Sequence, residues 1–182
     1  MNVLTIDVLT PEQCLAIVEE LRSGSGDAAT VYGQSRAGGA VNPLVRKATR
    51  LVPSEATLAL VRDALQRVQP QLADHFATPL TSYEEPQFLR YQAGDYFVAH
   101  QDGNTPLIHD DSRHRRVSAI VFLSDPADYE GGALVFHGDY PSMLRETMPN
   151  ARGSLLAFPP EQTHEVMPLI AGERYTIATW YR

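Results

Sequence analysis

Residues 88–102 read FLRYQAGDYFVAHQD. Two strand-like pieces flank a turn that contains Gly94, a pattern typical of neighbouring strands joined by a short connection. The second piece ends in His100-Gln101-Asp102. Side chains of an extended segment alternate between its two faces, so His100 and Asp102 project from the same face. The spacing therefore predicts that these two side chains can bind one metal ion.

A second histidine, His164, lies more than sixty positions further along the chain, in the segment 163–166. Two histidines and one carboxylate form the facial triad that leaves other coordination positions of a metal open. Oxygen and a co-substrate need such positions. A single histidine near a strand is more often packed or solvated, so the triad pattern alone is a weak indication of a metal site.

An arginine follows ten residues after His164. The segment 172–180 alternates and is rich in β-branched and aromatic residues, which predicts a strand with Arg174, Thr176 and Ala178 on one face. The planar guanidinium of arginine matches the two oxygens of a carboxylate. Arg174 is therefore a candidate ligand for a buried carboxylate, and an ordinary surface salt bridge is the alternative.

The segments 116–125, 129–136 and 153–159 complete the strand-rich C-terminal half. Together with residues 88–102 and in this order, they resemble the iron(II) and 2-oxoglutarate-dependent dioxygenases, specifically their prolyl 4-hydroxylase-like branch. The resemblance runs from about Glu85 to the C-terminus. It implies a mainly β (α+β) fold, in which N-terminal helices pack on one sheet of a double-stranded β-helix, or jelly-roll, barrel.

The resemblance also assigns roles to individual residues. It implies that His100, Asp102 and His164 are the catalytic Fe(II) ligands and that Arg174 pairs with the distal carboxylate of 2-oxoglutarate. Tyr91 and Thr176 would assist Arg174, although a core tyrosine with a satisfied hydroxyl is the alternative for Tyr91. Oxygen is the further substrate, and ascorbate is an optional reductant. Collagen-type relatives usually carry lysine at the position of Arg174, so the arginine favours the oxygen-sensing and bacterial types.

The implied reaction is hydroxylation of an unactivated C–H bond, coupled to conversion of 2-oxoglutarate into succinate and carbon dioxide. The resemblance favours a prolyl residue of a protein or peptide as the substrate. A free amino acid or a natural-product intermediate is the alternative small-molecule substrate. Two other classes stay open: a non-catalytic module that senses 2-oxoglutarate or metal, and a cupin-like isomerase or cysteine-type dioxygenase, which would not need Arg174.

The length of 182 residues predicts a single domain over residues 1–182, with helical support and a loop in 1–84 and the β-barrel in 85–182. Thr10, Pro11 and Gln13 predict the start of one helix that ends near Gly24. A second helix is expected from Ser54, and Pro70 marks its end or a kink. The loops 32–52 and 103–115 are expected to carry substrate specificity, the second as a lid.

The charge balance excludes one class of partner. Fifteen basic against 22 acidic side chains give a net charge of −7, which would repel a phosphate backbone. The short basic clusters, which include Arg46 and Arg115, are expected to be solvated. Cys14 is the only cysteine, so neither an intramolecular disulfide nor a thiolate zinc cluster can form. With no signal-like start and no apolar run of about 20 residues, we expect a cytoplasmic monomer or homodimer without membrane contact.

Overall fold

The structure is a computed structural model that describes residues 2–30, 41–103, 111–138 and 145–182. Both predicted specificity loops fall partly outside this range: residues 32–40 of the first and 104–110 of the second are not among the described residues. The lid prediction for 103–115 therefore lies largely outside the described residues.

Helix α1 (Pro11–Ser23) begins where the sequence predicts it. The Gln13 backbone N–H donates to the Thr10 hydroxyl at 3.2 Å, and the Thr10 N–H donates to the Gln13 side chain at 2.9 Å. These reciprocal bonds satisfy two backbone donors that the first turn of a helix leaves unpaired. The helix ends at Gly24, so both predicted boundaries are confirmed.

Helix α2 (Glu55–His75) begins after Ser54 as predicted, and of the two alternatives for Pro70, an end or a kink, the structure excludes the end. The helix continues five residues past Pro70, to His75. Leu65 and Leu72 lie on either side of the proline and are both completely buried. Proline removes only one backbone donor, and packing of the apolar stripe on both sides of it outweighs that loss.

The described residues contain thirteen strands. Their bounds in chain order are β1 (Leu4–Asp7), β2 (Gly26–Ala28), β3 (Arg46–Lys47), β4 (Thr49–Leu51), β5 (Gln87–Gln92), β6 (Tyr96–His100), β7 (Val117–Phe122), β8 (Tyr129–Gly131), β9 (Leu134–His137), β10 (Arg145–Thr147), β11 (Ser154–Phe158), β12 (His164–Val166) and β13 (Leu169–Tyr181). Two short 3-10 helices, Asp111–His114 and Pro126–Asp128, lie between strands.

The strands form two antiparallel sheets. The major sheet has the order β1-β11-β7-β13-β5-β4-β2, with β8 paired to β13. The minor sheet has the order β10-β9-β12-β6-β3. The chain passes from one sheet to the other at Ala48, because β3 pairs with β6 and β4 pairs with β5. The segment 46–51, predicted from the sequence to lie within the loop 32–52, thus contains two short strands, and β3 is an edge strand of the minor sheet.

The major sheet separates two hydrophobic cores. Phe88 packs with Ile17 and Leu65 on the helical side, whereas its neighbour Leu89 packs with Phe136 and Val166 between the sheets. This alternation follows from the two-residue period of a strand. The predicted architecture, a double-stranded β-helix with helices against one sheet, is confirmed. No helix of the described residues is both long and apolar enough to span a bilayer.

Candidate active site

The two candidate histidines meet across the minor sheet. His100 is the last residue of β6, His164 is the first of β12, and the two are direct partners in the antiparallel register. Their ring centroids lie 4.2 Å apart. Strand pairing therefore brings together residues that the sequence separates widely.

Both imidazoles are oriented by the backbone two residues before them. His100 Nδ1 lies 2.8 Å from the Val98 carbonyl oxygen, and His164 Nδ1 lies 2.8 Å from the Gln162 carbonyl oxygen. A carbonyl can only accept, so each Nδ1 carries the proton and each Nε2 keeps a free lone pair. Those Nε2 atoms lie 3.6 Å and 3.5 Å from the carboxylate oxygens of Asp102. The arrangement is the one that metal-binding histidines use.

Asp102 is held from three directions. Its backbone N–H donates to the Pro160 carbonyl at 2.8 Å, and its carbonyl accepts from the Arg115 guanidinium at 2.9 Å. The Ser118 hydroxyl donates to Asp102 Oδ2 at 2.7 Å. Main chain and carboxylate are therefore both fixed, although Asp102 lies just beyond the end of β6.

The protonation states suit a cation. Burial alone would raise the pKa of the Asp102 carboxyl, but the neighbouring His164 and His100 outweigh it and keep that pKa below its ordinary value. Burial lowers the pKa of His164 to about 4, and His100 adds to the shift. At neutral pH the site therefore presents a carboxylate and a neutral imidazole, the forms that ligate metals.

The donor set fits a ferrous ion. One ligand atom from each of His100, Asp102 and His164 lies within 4.8 Å of the other two. Two imidazole nitrogens and one carboxylate oxygen are the set expected for a non-haem Fe(II) centre with open positions. The structure thus brings together all three residues that the sequence singled out.

Arg174 lies on β13 and is only 2% exposed. Its strand partner is Tyr91, whose ring centroid lies 5.4 Å from the guanidinium carbon. Within the described part of the chain no carboxylate pairs with this cation, and its buried Nε has no hydrogen-bond partner. An isolated buried charge is costly, so the side chain needs an anion to complete it. The alternative of an ordinary surface salt bridge is wrong for Arg174.

One pocket between the sheets joins the triad to Arg174. Thr176 and Ala178 line it from the same face of β13 as Arg174, as the strand pattern predicts. The Tyr91 hydroxyl has no hydrogen-bond partner among the described residues, unlike a satisfied core tyrosine. The lining residues are Arg46, Leu89, Tyr91, Phe97, His100, Asp102, Ala119, Ile120, His164, Val166, Arg174, Thr176, Ala178 and Trp180.

A protein-family model described as the 2OG-Fe(II) oxygenase superfamily matches residues 86–182, which are more than half of the chain. The chain belongs to this superfamily. The match begins next to β5 and covers every triad and pocket residue named above except Arg46. Enzymes of this superfamily use Fe(II), 2-oxoglutarate and oxygen, for which the donor set and the unpaired Arg174 are suited.

Curated proteins that are similar in sequence to this chain include PKHD-type hydroxylases. A PKHD-type hydroxylase of Paracoccus denitrificans is 30% identical over 176 residues, which cover 96% of this chain and 74% of the relative. A PKHD-type hydroxylase of Shewanella baltica is 36% identical over 104 residues, 57% of this chain and 45% of the relative. The chain thus spans slightly under half the length of such Shewanella relatives.

Solved structures share the fold. A prolyl-4-hydroxylase of Pseudomonas putida superposes with a TM-score of 0.76 at 21% identity, over 100% of this chain and 92% of that one. A prolyl hydroxylase of Trichoplax adhaerens, solved with a fragment of the oxygen degradation domain of hypoxia inducible factor, gives 0.71 at 17% identity, over 99% and 83%. At these sequence identities the superpositions show that the fold is shared and nothing more.

Sequence reasoning missed several supporting residues of the superfamily site. Phe97 stacks on the His100 ring at 3.5 Å, and Trp180 lines the pocket with the Arg115 guanidinium 3.7 Å from its ring centroid. The prediction that the basic clusters are solvated is wrong for two members, because Arg46 is 7% and Arg115 is 3% exposed. Only Ser118 could have been found, since the period of β7 alternates its side chains between the helical core and the pocket.

Proposed function

We propose that this chain is an Fe(II)- and 2-oxoglutarate-dependent oxygenase that hydroxylates an unactivated C–H bond. One observation carries the proposal: a buried cluster of two imidazoles and a carboxylate shares a pocket with a buried arginine that has no counterion among the residues that the structure describes. A metal-binding cluster alone would suit many enzymes. The additional unpaired cation is suited to a co-substrate with a second carboxylate.

In this proposal His100, Asp102 and His164 hold the iron. Their backbone and side-chain partners fix the geometry before iron binds, which favours binding because little ordering is left to occur. Arg174 receives the distal carboxylate of 2-oxoglutarate, with Tyr91 and Thr176 as further hydroxyl donors. When bound, iron and 2-oxoglutarate supply the oxygen activation, and ascorbate would serve only as an accessory reductant.

The chain itself provides orientation and a partly apolar environment. Val166, Ile120 and Leu89 line the pocket that contains the triad and Arg174, so part of its wall is apolar. Phe97 and Phe158 contact the rings of His100 and His164, at 3.5 Å and 4.8 Å between centroids. These contacts restrict rotation of both imidazoles, so each Nε2 stays directed at the same point.

For the substrate we propose a prolyl residue of a protein or peptide. Support comes from the PKHD-type hydroxylase relatives and from the prolyl hydroxylases that share the fold. A small-molecule substrate such as a free amino acid is the second candidate, and the buried Arg46 at the pocket favours it because a free acid supplies a counterion. The single domain, the cytoplasmic location, the absence of nucleic-acid contact and the oligomeric state stay predictions from the sequence.

Spectroscopy tests the proposal directly. Purified protein is loaded anaerobically with Fe(II), and 2-oxoglutarate is titrated while the visible charge-transfer absorption of an iron-chelated keto acid is followed. We expect saturable absorption that disappears in His164→Ala and needs far more 2-oxoglutarate in Arg174→Met. In air, the wild type should form succinate.

The same titration separates the alternatives. A sensing module would bind 2-oxoglutarate without forming succinate in the presence of any substrate. A cupin-like enzyme would bind iron but show no absorption and no dependence on Arg174. Either result would contradict the proposed activity, whereas Arg50→Met, which removes an exposed arginine away from the pocket, should behave as the wild type.

A further inference from the structure

A second arginine reaches the pocket from the opposite sheet. Arg46 lies on β3, the edge strand of the minor sheet, and is the register partner of Phe97 on β6. Its guanidinium carbon lies 4.8 Å from the Phe97 ring centroid, and that ring stacks on His100. One aromatic ring thus links Arg46 to a candidate iron ligand, and the guanidinium lines the same pocket as the triad.

Arg46 is incompletely paired. One of its terminal nitrogens donates to the Thr30 carbonyl at 2.9 Å, but its buried Nε has no hydrogen-bond partner. No carboxylate of a described residue forms an ion pair with Arg46, and the residue is only 7% exposed. A guanidinium has five donors in a fixed plane, and a neutral carbonyl satisfies only part of them. The buried Nε still lacks an acceptor, and an anion satisfies a guanidinium best.

The charge balance of the loaded pocket shows where that anion must come from. The two positive charges of Fe(II) and the positive charge of Arg174 balance the three negative charges of Asp102 and doubly ionised 2-oxoglutarate. Among the described lining residues, the only other formal charge is that of Arg46. Iron and co-substrate together therefore leave one buried positive charge without a counterion.

From these observations we infer that Arg46 binds a carboxylate of the substrate, beside the iron site and apart from the 2-oxoglutarate carboxylate at Arg174. The inference rests on the proposed function, because it assumes that iron and 2-oxoglutarate occupy the rest of the pocket. It narrows the substrate class to molecules with a carboxylate close to the hydroxylated carbon. That carboxylate belongs either to a free acid or chain terminus, or to an acidic side chain of a peptide.

Acetate, a small carboxylate with a methyl group that can be observed by NMR, serves as the probe. The protein is loaded with redox-inert Mn(II) and saturating 2-oxoglutarate without oxygen turnover, and relaxation of the acetate methyl protons by the paramagnetic ion reports binding near the metal. We expect saturable relaxation in the wild type and at least a tenfold weaker affinity in Arg46→Met. Arg46→Lys, which keeps the charge but loses the fork, should lie between them.

Arg50→Met is the matched control, since it removes an exposed charge from the neighbouring strand β4 and should leave acetate binding unchanged. Equal weakening in Arg46→Met and Arg50→Met, or no saturable relaxation in the wild type, overturns the inference. If Arg46→Met does not fold, Arg46→Gln and Arg46→Lys provide the same comparison.

The same samples distinguish failure of the inference from failure of the proposed function. Mn(II) and 2-oxoglutarate affinities are measured first, and a wild type that binds neither contradicts the proposed function. If both bind in wild type and Arg46→Met alike while acetate binding does not depend on Arg46, only the inference fails.

Two matched pairs identify the source of the carboxylate. N-acetyl-L-proline is compared with its amide, and N-acetyl-prolyl-aspartamide, with its free side-chain carboxylate, is compared with the asparagine analogue. An Arg46-dependent preference within the first pair assigns a free acid or chain terminus, and within the second an acidic side chain. Equal affinities within both pairs in the wild type overturn the inference.

Discussion

Replacing Arg174 by methionine should have opposite effects on the stability of the free protein and on co-substrate binding. The guanidinium is 2% exposed, has a buried Nε without a partner, and contacts the rings of Tyr91 and Phe122 at 5.4 Å and 5.6 Å. Methionine is flexible and apolar enough to fill most of the same space between those rings. The substitution removes a buried charge that no carboxylate of the described residues neutralises.

The size of the stability change follows from the burial of the charge, and the size of the change in 2-oxoglutarate affinity follows from the lost hydrogen bond. Replacing a buried ion pair by apolar side chains of similar volume is often neutral or stabilising by about 1–4 kcal/mol, and a buried charge without a partner offers no ion-pair energy to lose. In a protein of this size about 1 kcal/mol shifts Tm by roughly 2–4 °C, so Tm of the free protein should rise by a few degrees. Loss of a charge-assisted hydrogen bond costs about 1.5–3 kcal/mol, which weakens 2-oxoglutarate binding by roughly 10- to 150-fold.

Thermal unfolding with and without ligand measures both effects. Wild type and Arg174→Met are unfolded alone, and then with Mn(II) and 2-oxoglutarate at about 100 times the wild-type Kd, where ligand should stabilise the wild type by about 2.7 kcal/mol. Without ligand the variant should have a higher Tm than the wild type, and the ligands should raise its Tm much less. A variant that unfolds earlier than the wild type without ligand, or gains as much from 2-oxoglutarate, would refute the interpretation of Arg174 as an uncompensated co-substrate anchor.

Three further outcomes are expected. Ser118→Ala removes the hydroxyl that donates to Asp102 Oδ2 at 2.7 Å, so calorimetry should show metal affinity weaker by about 10- to 100-fold with little change in Tm. Glu84→Gln removes the carboxylate that forms ion pairs with Arg115 and Arg182, and should cost about 3 kcal/mol of unfolding free energy at pH 7. Burial raises the pKa of the Glu84 carboxyl, but Arg115 and Arg182 outweigh burial and keep that pKa below its ordinary value of 4.5. The loss of unfolding free energy relative to the wild type should therefore be complete above pH 4.5 and decrease at lower pH, as measured by denaturant titrations. Burial raises the pKa of the Cys14 thiol to about 11, so iodoacetamide should label Cys14 only after unfolding, and rapid labelling of native protein at neutral pH would contradict its buried position.

The sequence predicted the elements of this fold where local chemistry decides them. Thr10 and Gln13 predicted the start of α1, because a capping box depends only on residues within one turn. The sequence could not decide whether Pro70 ends α2, because the cost of one missing donor is local whereas the packing that offsets it comes from the sheet. The strand period of residues 172–180 correctly placed Arg174 and Thr176 on the pocket face.

By itself the sequence determined the chemistry available to the site: two histidines, one carboxylate and an arginine on predicted strands, in an order that resembles one oxygenase family. Only the tertiary structure decided which groups meet and which stay unpaired. The register of β6 and β12 sets His100 opposite His164, and the crossing at Ala48 carries Arg46 to the same pocket. Burial and pairing depend on contacts between residues distant in the chain, so residue type and spacing cannot show that Arg174 and Arg46 are buried without a carboxylate partner among the described residues.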